Sequence, residues 1–359
     1  MTSTNTSDKP TVGVVGAGAF GSAIANLLAE NQPVILYTRL PEVHESIVAT
    51  RLNRGRKMHD NVRSTLDIED VASNCRLIYP ILPSAVFREK IREISPFLTP
   101  EHILIHGTKG VDVRLPRGEQ LTASYKLNPK LVNTMTEVIL QETIVRRVGC
   151  LAGPNLASEI MAGQPAATVV ASEFDEVIRM GQRTLRTANF QVFSSHDRVG
   201  VEIAGVLKNV IAIAAGALHG LGYGENAKAL LISRGLVEMV HVGKNLGGGL
   251  QAFLGLAGVG DLIATSSSPN SRNFSVGYRI AKGEKLEDIL ADMEEVAEGI
   301  NTVKISRAMA NHLGIRAPLT ETIYDVLFGE KTVEEGLEYL MRFPYYVDVD
   351  VSIFEGKQS

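Results

Sequence analysis

Val12-Gly13-Val14-Val15-Gly16-Ala17-Gly18-Ala19-Phe20-Gly21 is the stretch that decides the fold. It predicts a short apolar strand that runs through a G-x-G-x-x-G motif directly into a helix. In such a motif Gly16 permits the tight turn, Gly18 lets the backbone approach a pyrophosphate, and Gly21 lets helix and strand pack closely. The motif indicates a dinucleotide site. A glycine-rich turn without a ligand, a nucleotide sugar site and a flavin site are the alternatives that it leaves open.

Beyond this motif, short β-branched runs alternate with helix-like stretches up to about residue 195. This alternation predicts βαβ units and a parallel sheet with helices on both sides. The predicted strands cover residues 11–15, 33–37, 76–81, 102–106, 148–151, 167–170 and 190–193. The predicted helices between them include residues 19–30, 85–94, 130–141 and 173–187.

After about His196 the strand-like runs disappear and long helical patterns follow. A chain of 359 residues exceeds the usual size of one hydrophobic core, so two domains are expected. The fold class is therefore α/β, with an N-terminal Rossmann-type parallel-sheet domain followed by an all-α C-terminal domain. We expect a disordered tail at residues 1–10, the dinucleotide-binding domain at 11–195 and the helical substrate-binding domain at 196–355.

Charge and cysteine content restrict the partners. The formal net charge of −4 gives no general attraction for nucleic acid or anionic lipid. Cys75 and Cys150 are too few for a disulfide framework or a four-cysteine metal site, so we expect a cytoplasmic protein without a metal. The polar N-terminus lacks the features of a secretory signal. The apolar run 201–218 is interrupted by charged and polar residues and predicts a buried helix, so no membrane span is expected.

The same apolar helix carries the best candidate for an acid–base group. Lys208 lies among apolar residues on nearly every side, where a lysine must be paired or face a wet cleft. As an ammonium it can donate a proton to a carbonyl oxygen that receives hydride on its carbon. Asn209 follows it and can contact a substrate hydroxyl at the edge of the same site. The alternative is that Lys208 only pairs with a carboxylate between domains.

Downstream, Gly258-Val259-Gly260-Asp261-Leu262 leads to a serine-rich loop that ends in Ser271-Arg272-Asn273. The arginine fork and the neighbouring hydroxyl, amide and backbone donors are typical of a phosphate receptor. Asp261 is placed to orient Lys208 or a substrate hydroxyl, or alternatively to cap a helix. In the first domain, Lys109 and the 153–159 loop follow predicted strands at the edge where open α/β sheets bind ligands.

Arg39 stands where an NAD-preferring site would carry an acidic residue, just after the second strand. An arginine there can pair with a 2′-phosphate, which favours NADP over NAD as the cofactor. An ordinary surface arginine at a strand end is the alternative.

Taken together, these segments resemble the NAD(P)-dependent glycerol-3-phosphate dehydrogenase family of the bacterial type, over most of the chain from Thr11 to about Arg342. The resemblance rests on eight blocks in order, from the glycine motif through Leu82-Pro83-Ser84, Gly107-Thr108-Lys109-Gly110, Gly153-Pro154, the helix with Lys208-Asn209, Gly260-Asp261-Leu262 and Ser271-Arg272-Asn273 to Val296-Ala297-Glu298-Gly299.

The resemblance implies a homodimeric oxidoreductase that interconverts dihydroxyacetone phosphate and sn-glycerol 3-phosphate with NADP or NAD and feeds glycerophospholipid synthesis. It implies that Lys208 is the catalytic residue. The resemblance places Lys109, Gly153, Asp261, Ser271, Arg272 and Asn273 around the substrate, and the predicted substrate residues are completed by Asn155, Lys208 and Asn209. It assigns Phe20, Arg39, Lys109, Ala157, Arg272 and Glu298 to the cofactor, and the predicted cofactor residues are completed by Gly16, Gly18, Ala19, Gly21 and Val296.

One departure from the family pattern concerns substrate preference. Asn155 and Leu156 stand where the family generally has a small hydroxyl residue and an aromatic residue. Because Asn still donates and accepts hydrogen bonds, the activity is retained in this interpretation. The alternatives are a dehydrogenase of a related phosphorylated ketone or hydroxyacid, and a non-catalytic nucleotide-binding protein.

Overall fold

The structure, a computed structural model, describes residues 10–293, 297–344 and 348. The chain forms two compact units. The first comprises Met1–Asp112 and Asn133–Arg198, and the second comprises Val113–Val132 and Val199–Ser359.

The first unit is built on one eight-stranded sheet. Its strands are β1 Val12–Val15, β2 Val34–Tyr37, β5 Val62–Thr65, β6 Leu77–Pro80, β7 Ile103–His106, β10 Arg147–Ala152, β11 Ala166–Ala171 and β12 Phe190–Ser195. The small strands are β3 Leu52–Asn53, β4 Arg56–Lys57, β8 Val111–Val113 and β9 Val132–Thr134. The helices are α1 Ala19–Ala29, α2 Pro41–Thr50, α3 Ile68–Asn74, α4 Ser84–Ile94, α5 Met135–Glu142, α6 Ala157–Met161 and α7 Asp175–Leu185.

The order of the strands across the sheet is β12-β11-β10-β7-β6-β1-β2-β5. From β5 to β10 this is the doubly wound order of dinucleotide-binding domains, with the chain crossing over between β1 and its neighbour β6. Four central strands, β1, β2, β6 and β7, are buried at every position, which explains why their sequences are apolar without alternation. Two hydrophobic cores cover the sheet. The Rossmann-type fold predicted from the sequence is confirmed.

Three details differ from the predictions. The pairing of β10 with β11 is antiparallel, whereas we expected a fully parallel sheet. The strand β5 was not predicted, because Val62–Thr65 is short and three of its four residues are polar. The predicted helix at 130–141 begins later, at Met135, because a capping box between Thr134 and Glu137 starts it there and β9 precedes it.

The segment Val113–Val132 falls in the second unit, although it lies within the range 11–195 expected for the first domain. Backbone and side-chain hydrogen bonds account for this. The Leu127 N–H donates to the Ala308 carbonyl at 2.9 Å, and the Asn311 amide donates to the carbonyls of Ala123 and Tyr125. A local sequence pattern does not predict hydrogen bonds between residues that are so far apart in the chain.

The second unit is helical. Its helices are α8 Arg198–Gly220, α9 Glu225–Asn245, α10 Leu250–Leu254, α11 Asp261–Ser267, α12 Arg272–Ala281, α13 Leu286–Asp292, α14 Glu298–Leu313, α15 Pro318–Leu327 and α16 Val333–Arg342. Helix α8 is long and apolar enough to cross a membrane, with a mean hydropathy of 1.7, but 94% of that window is buried inside the protein. Its apolar surface is thus covered by protein, as predicted for a buried helix.

Close backbone contact holds α12 against α8. A Cβ atom on Gly216 would lie 1.9 Å from the Phe274 carbonyl oxygen, and one on Gly277 would lie 1.8 Å from the Ile213 carbonyl oxygen. Both glycines are therefore needed for the two helices to meet. This crossing brings the start of α12, which carries Arg272 and Asn273, to the middle of α8.

Glu238 on α9 is a buried carboxylate that caps another helix. It accepts hydrogen bonds from the backbone N–H groups of Leu319 and Thr320 at 2.9 and 2.8 Å, and from the Thr320 hydroxyl. These groups begin α15, whose first-turn donors otherwise have no intrahelical acceptor. Burial raises the pKa of Glu238 to about 7, against the lowering effect of these hydrogen bonds.

Candidate active site

The turn after β1 has the geometry of a phosphate cradle. Gly16 adopts a φ of +115°, and a Cβ atom there would lie 2.2 Å from the Ile81 carbonyl oxygen. A Cβ atom on Gly21 would lie 1.8 Å from the Gly16 carbonyl oxygen. Gly18 is the N-cap of α1 with no side-chain cap, and the first turn of α1 carries no acidic residue. These residues fit the pyrophosphate of a dinucleotide, because the helix N-terminus meets it without a competing carboxylate.

Other predicted cofactor residues lie at the ends of elements in the same unit. Phe20 is half-buried and packs on the core, with its ring 3.0 Å from the position of a Cβ on Gly107. Arg39 is exposed directly after β2, and Ala157 is the first residue of α6.

Lys109 and Gly153 meet at the carboxyl edge of the sheet. The Lys109 Nζ donates to the Gly153 carbonyl oxygen at 3.0 Å. Lys109 follows β7 and Gly153 follows β10, and these two strands are parallel neighbours, so their ends lie side by side. The structure thus brings together two residues that the sequence predicted separately.

Asn155 is held by the amino end of its side-chain amide. Its Nδ2 donates to the Thr168 hydroxyl at 2.9 Å, and that hydroxyl donates to the Ala152 carbonyl at 3.2 Å. Because the Thr168 proton is used, the hydroxyl must accept from Asn155, which fixes the amide orientation. The buried Asn155 Oδ1 finds no hydrogen-bond partner among the residues that the structure describes. Such an atom is suited to accept a hydrogen bond from a hydroxyl group of a ligand.

In the second unit, Lys208 forms a buried charged cluster with two residues of α11. Its Nζ lies 3.1 Å from the Asp261 Oδ1 and donates to the Thr265 Oγ1 at 2.5 Å. The Thr265 hydroxyl in turn donates to the Asp261 Oδ1 at 3.0 Å. The Lys208 and Asp261 side chains are only 6% and 3% exposed. The carboxylate stabilises the ammonium form, and each group limits the directions in which the other can point.

Thr265 was missed in the sequence analysis. A signal was available, because Thr265 lies four residues after Asp261 and such a pair shares one face of a helix. Asp261 is the first residue of α11, and both side chains are buried on the side that meets α8.

Asn209 and Asn273 form a second polar contact on α8. The Asn273 Nδ2 donates to the Asn209 Oδ1 at 2.9 Å, and the Gly299 backbone N–H donates to the Asn273 Oδ1 at 2.9 Å. The Asn209 Nδ2 has a long contact of 3.4 Å to the Gly205 carbonyl. The structure therefore links Asn209, Asn273 and the start of α14.

Three of the remaining predicted residues, Ser271, Arg272 and Glu298, lie at helix N-termini. Ser271 caps α12 by accepting from the Phe274 N–H at 3.3 Å, and Arg272 is exposed at the first position of that helix. Glu298 is the first residue of α14. Val296 lies outside the described residues.

Comparison with known families covers both units. Residues 11–178 match the family described as the N-terminus of NAD-dependent glycerol-3-phosphate dehydrogenase, and residues 197–338 match the family described as its C-terminus. A glycerol-3-phosphate dehydrogenase [NAD(P)+] of Pseudomonas aeruginosa strain LESB58 is 40% identical over 344 residues, which are 94% of this chain and 96% of that protein. A protein of the same name from Azotobacter vinelandii is 39% identical over the same shares.

Solved structures of the same family have the same fold as this chain. The glycerol-3-phosphate dehydrogenase of Coxiella burnetii superposes with a TM-score of 0.82 at 28% identity, over 93% of this chain and 99% of that one. A ketopantoate reductase of Ralstonia eutropha shares the fold alone, with a TM-score of 0.56 at 15% identity over 91% and 99% of the two chains.

Proposed function

Because the chain belongs to the NAD-dependent glycerol-3-phosphate dehydrogenase family, we propose that it interconverts dihydroxyacetone phosphate and sn-glycerol 3-phosphate by hydride transfer. The observation that carries this proposal is the buried cluster of Lys208, Asp261 and Thr265. It offers a proton donor whose charge is compensated and whose direction is restricted, which reduction of a ketone requires.

Lys208 acts on the oxygen of the reacting carbon. NAD(P)H, when bound, supplies the hydride that the carbonyl carbon receives. The Lys208 ammonium donates a hydrogen bond to the carbonyl oxygen and transfers a proton as the oxygen gains negative charge. In the opposite direction the neutral amine accepts the hydroxyl proton. Asp261 is a positioning residue in this scheme, because it stabilises the ammonium and aims it together with Thr265.

The substrate is held by its phosphate and by its hydroxyl groups. Arg272, exposed at the start of α12, supplies a fork of N–H donors for phosphate, and the N-terminus of that helix adds favourable dipoles. Lys109, hydrogen-bonded to Gly153, adds a second positive charge. The Asn155 Oδ1, which has no hydrogen-bond partner among the described residues, accepts a hydrogen bond from a substrate hydroxyl group. Asn209, Asp261, Ser271 and Asn273 complete the proposed substrate set.

The cofactor is held by the turn Gly16–Gly21 and by residues at element ends. Arg39 lies just after β2, at the point where a carboxylate would bind the ribose hydroxyls of NAD, so it is suited to pair with a 2′-phosphate. We therefore expect NADPH to be accepted and preferred over NADH. Phe20, Lys109, Ala157, Arg272, Val296 and Glu298 are the further residues proposed for the cofactor.

Two properties of the assembled protein are part of the proposal. A cytoplasmic location agrees with the two buried free thiols, Cys75 and Cys150. We further propose that the protein is a homodimer and that it serves glycerophospholipid synthesis. Exposed apolar side chains of the second unit, such as Leu254 and Ile263, offer surface for self-association. Analytical ultracentrifugation decides between monomer and dimer.

The test of the function follows the absorbance of NADH and NADPH with dihydroxyacetone phosphate and then with dihydroxyacetone. Oxidation of the reduced cofactor only with the phosphorylated ketone is the expected result. Equal rates with both ketones would show that no phosphate receptor operates. If the reduced cofactor is oxidised with neither ketone, the proposed activity is wrong.

A further inference from the structure

A short hairpin formed by β3 and β4 lies beside the glycine turn that precedes α1. The two strands pair antiparallel, with Asn53 opposite Arg56. Arg54 and Gly55 connect them with φ values of +50° and +73°. A two-residue hairpin turn of this kind needs positive φ at both central residues. The turn fixes the register of the hairpin, and the register decides on which face each side chain lies.

Hydrogen bonds to α1 place the tip of this hairpin at the start of that helix. At the base of the hairpin, the Lys57 carbonyl accepts from the Asn26 amide of α1 at 2.9 Å. Nearer the tip, the Asn53 Nδ2 donates to the Ser22 Oγ at 2.7 Å and to the Ala17 carbonyl oxygen at 2.9 Å. Asn53 is buried, and Ala17 belongs to the glycine turn. The hairpin is therefore anchored to the segment that we propose to hold the pyrophosphate.

Arg56 lies on the same face of the hairpin as Asn53. Residues that oppose each other in an antiparallel pair project to the same side with Cβ atoms about 5 Å apart, whereas neighbours in one strand project to opposite sides. The Arg56 side chain therefore leaves the hairpin on the side of the glycine turn, and the Lys57 side chain leaves it on the other side. Arg56 is exposed, and its guanidinium forms no hydrogen bond or ion pair with any residue that the structure describes.

The hairpin stands on the side of the glycine turn where the adenosine ribose of a dinucleotide binds. Arg51, which precedes β3, donates from its Nη1 to the Val62 carbonyl at the start of β5 at 2.8 Å, and β5 pairs with β2. In dinucleotide-binding domains the ribose hydroxyls are received at the end of the second strand, where Arg39 follows β2. A phosphate on the ribose 2′-oxygen therefore belongs to the side of the turn on which both Arg39 and the hairpin stand.

We propose that Arg56 is a specificity-determining residue that binds the 2′-phosphate of NADPH together with Arg39. The proposal rests on the proposed function and deepens it, because it names a second cation for a group that NADH lacks. A guanidinium can direct two N–H donors at one phosphate. Because Asn53 anchors the hairpin, little of this binding energy is lost in ordering the backbone that carries Arg56.

The test compares two ligands that differ only in the 2′-phosphate. Adenosine 2′,5′-bisphosphate and adenosine 5′-monophosphate are titrated into the enzyme by calorimetry at low ionic strength, where charges are weakly screened. In Arg56→Gln the dissociation constant of the bisphosphate should rise about 10-fold or more, and that of the monophosphate should change less than about twofold. The KM values for NADPH and NADH should change in the same proportions.

Lys57→Gln is the matched control. It removes one positive charge from the adjacent, exposed position, but on the face of the hairpin that is turned away from the glycine turn. The dissociation constants of both ligands should stay within about twofold of the wild-type values. Arg56→Lys keeps the charge without the guanidinium fork, so it should weaken bisphosphate binding less than Arg56→Gln does. Equal losses of bisphosphate affinity in Arg56→Gln and Lys57→Gln would overturn the proposal, because only the total charge would then matter.

Two further results would also overturn it. If Arg56→Gln weakens both ligands equally, Arg56 does not discriminate between them, and if it weakens neither, Arg56 does not bind the cofactor. The midpoint of thermal unfolding shows that each variant is folded before it is titrated. Failure of the proposed function has a different signature. A wild-type protein that prefers the bisphosphate, but does not oxidise NADPH with dihydroxyacetone phosphate, would contradict the activity and leave the role of Arg56 intact.

Discussion

Replacing Asp261 by asparagine removes the countercharge of Lys208 while keeping the size of the side chain. The Lys208 Nζ lies 3.1 Å from the Asp261 Oδ1. At this separation and an effective dielectric constant of about 20, the attraction is about 5 kcal/mol in favour of the ammonium. Loss of one partner of a buried pair typically costs about 3–5 kcal/mol of stability, because the remaining charge is uncompensated. We therefore expect Asp261→Asn to be less stable and to hold a proton on Lys208 less tightly.

The assay for this prediction is the pH dependence of ketone reduction. In the variant, the loss of reductive activity with rising pH should begin at lower pH than in wild type, because the ammonium is no longer stabilised. At neutral pH, kcat should fall about 10²- to 10⁴-fold, while cofactor affinity is unchanged. A control with Lys208→Met and Asp261→Leu together removes both charges and should recover stability without activity. An unshifted pH profile together with unchanged stability in Asp261→Asn would refute the argument.

Three other predictions test different parts of the structure. Lys208→Ala should abolish turnover with cofactor affinity retained, whereas Arg272→Ala should chiefly raise the KM for dihydroxyacetone phosphate. Steady-state kinetics measure turnover and KM for both variants, and titration with the cofactor measures its affinity. Gly277→Ala places a Cβ 1.8 Å from the Ile213 carbonyl oxygen and should lower the free energy of unfolding by about 1–3 kcal/mol or more. In the control Gly224→Ala the Cβ meets nothing within 4 Å, so only the weaker cap of α9 should lower the free energy of unfolding, by less than about 1 kcal/mol. Burial raises the pKa of Glu238 from 4.5 to about 7, so the free energy of unfolding should fall as the pH rises between these two values. Glu238→Gln should remove this pH dependence, which is measured by chemical denaturation of both proteins at about pH 5 and about pH 8.

Much of the first unit follows from local sequence patterns. Strand β1, the glycine turn and helix α1 were predictable because the apolar run and the three glycines act within ten residues. Strands β6 and β7 were predictable for a similar reason, since both faces of a buried parallel strand are apolar. The antiparallel junction of β10 and β11 was not, because strand direction depends on how the chain returns to the sheet and not on the residues of the strand.

In the candidate site, too, some features could be predicted from the local sequence and others could not. The unusual position of Lys208 among apolar residues marked it from the sequence, because a buried charge needs a specific explanation. Its contact with Thr265 and the contact of Asn273 with Gly299 join residues 57 and 26 positions apart. No local pattern contains such distances, because they depend on how α8 packs against α11 and how α12 packs against α14.

Lys208 and Asn209 are neighbours on α8, yet they are set by different helices. Successive residues of an α-helix point about 100° apart. Lys208 therefore meets α11 through Asp261 and Thr265, whereas Asn209 meets Asn273 on α12. The ion pair favours the protonated form of the lysine, and the amide contact directs the Asn209 oxygen toward Asn273. A single helix thus carries a buried proton donor and an amide of fixed orientation at successive positions, each held by a different neighbouring helix.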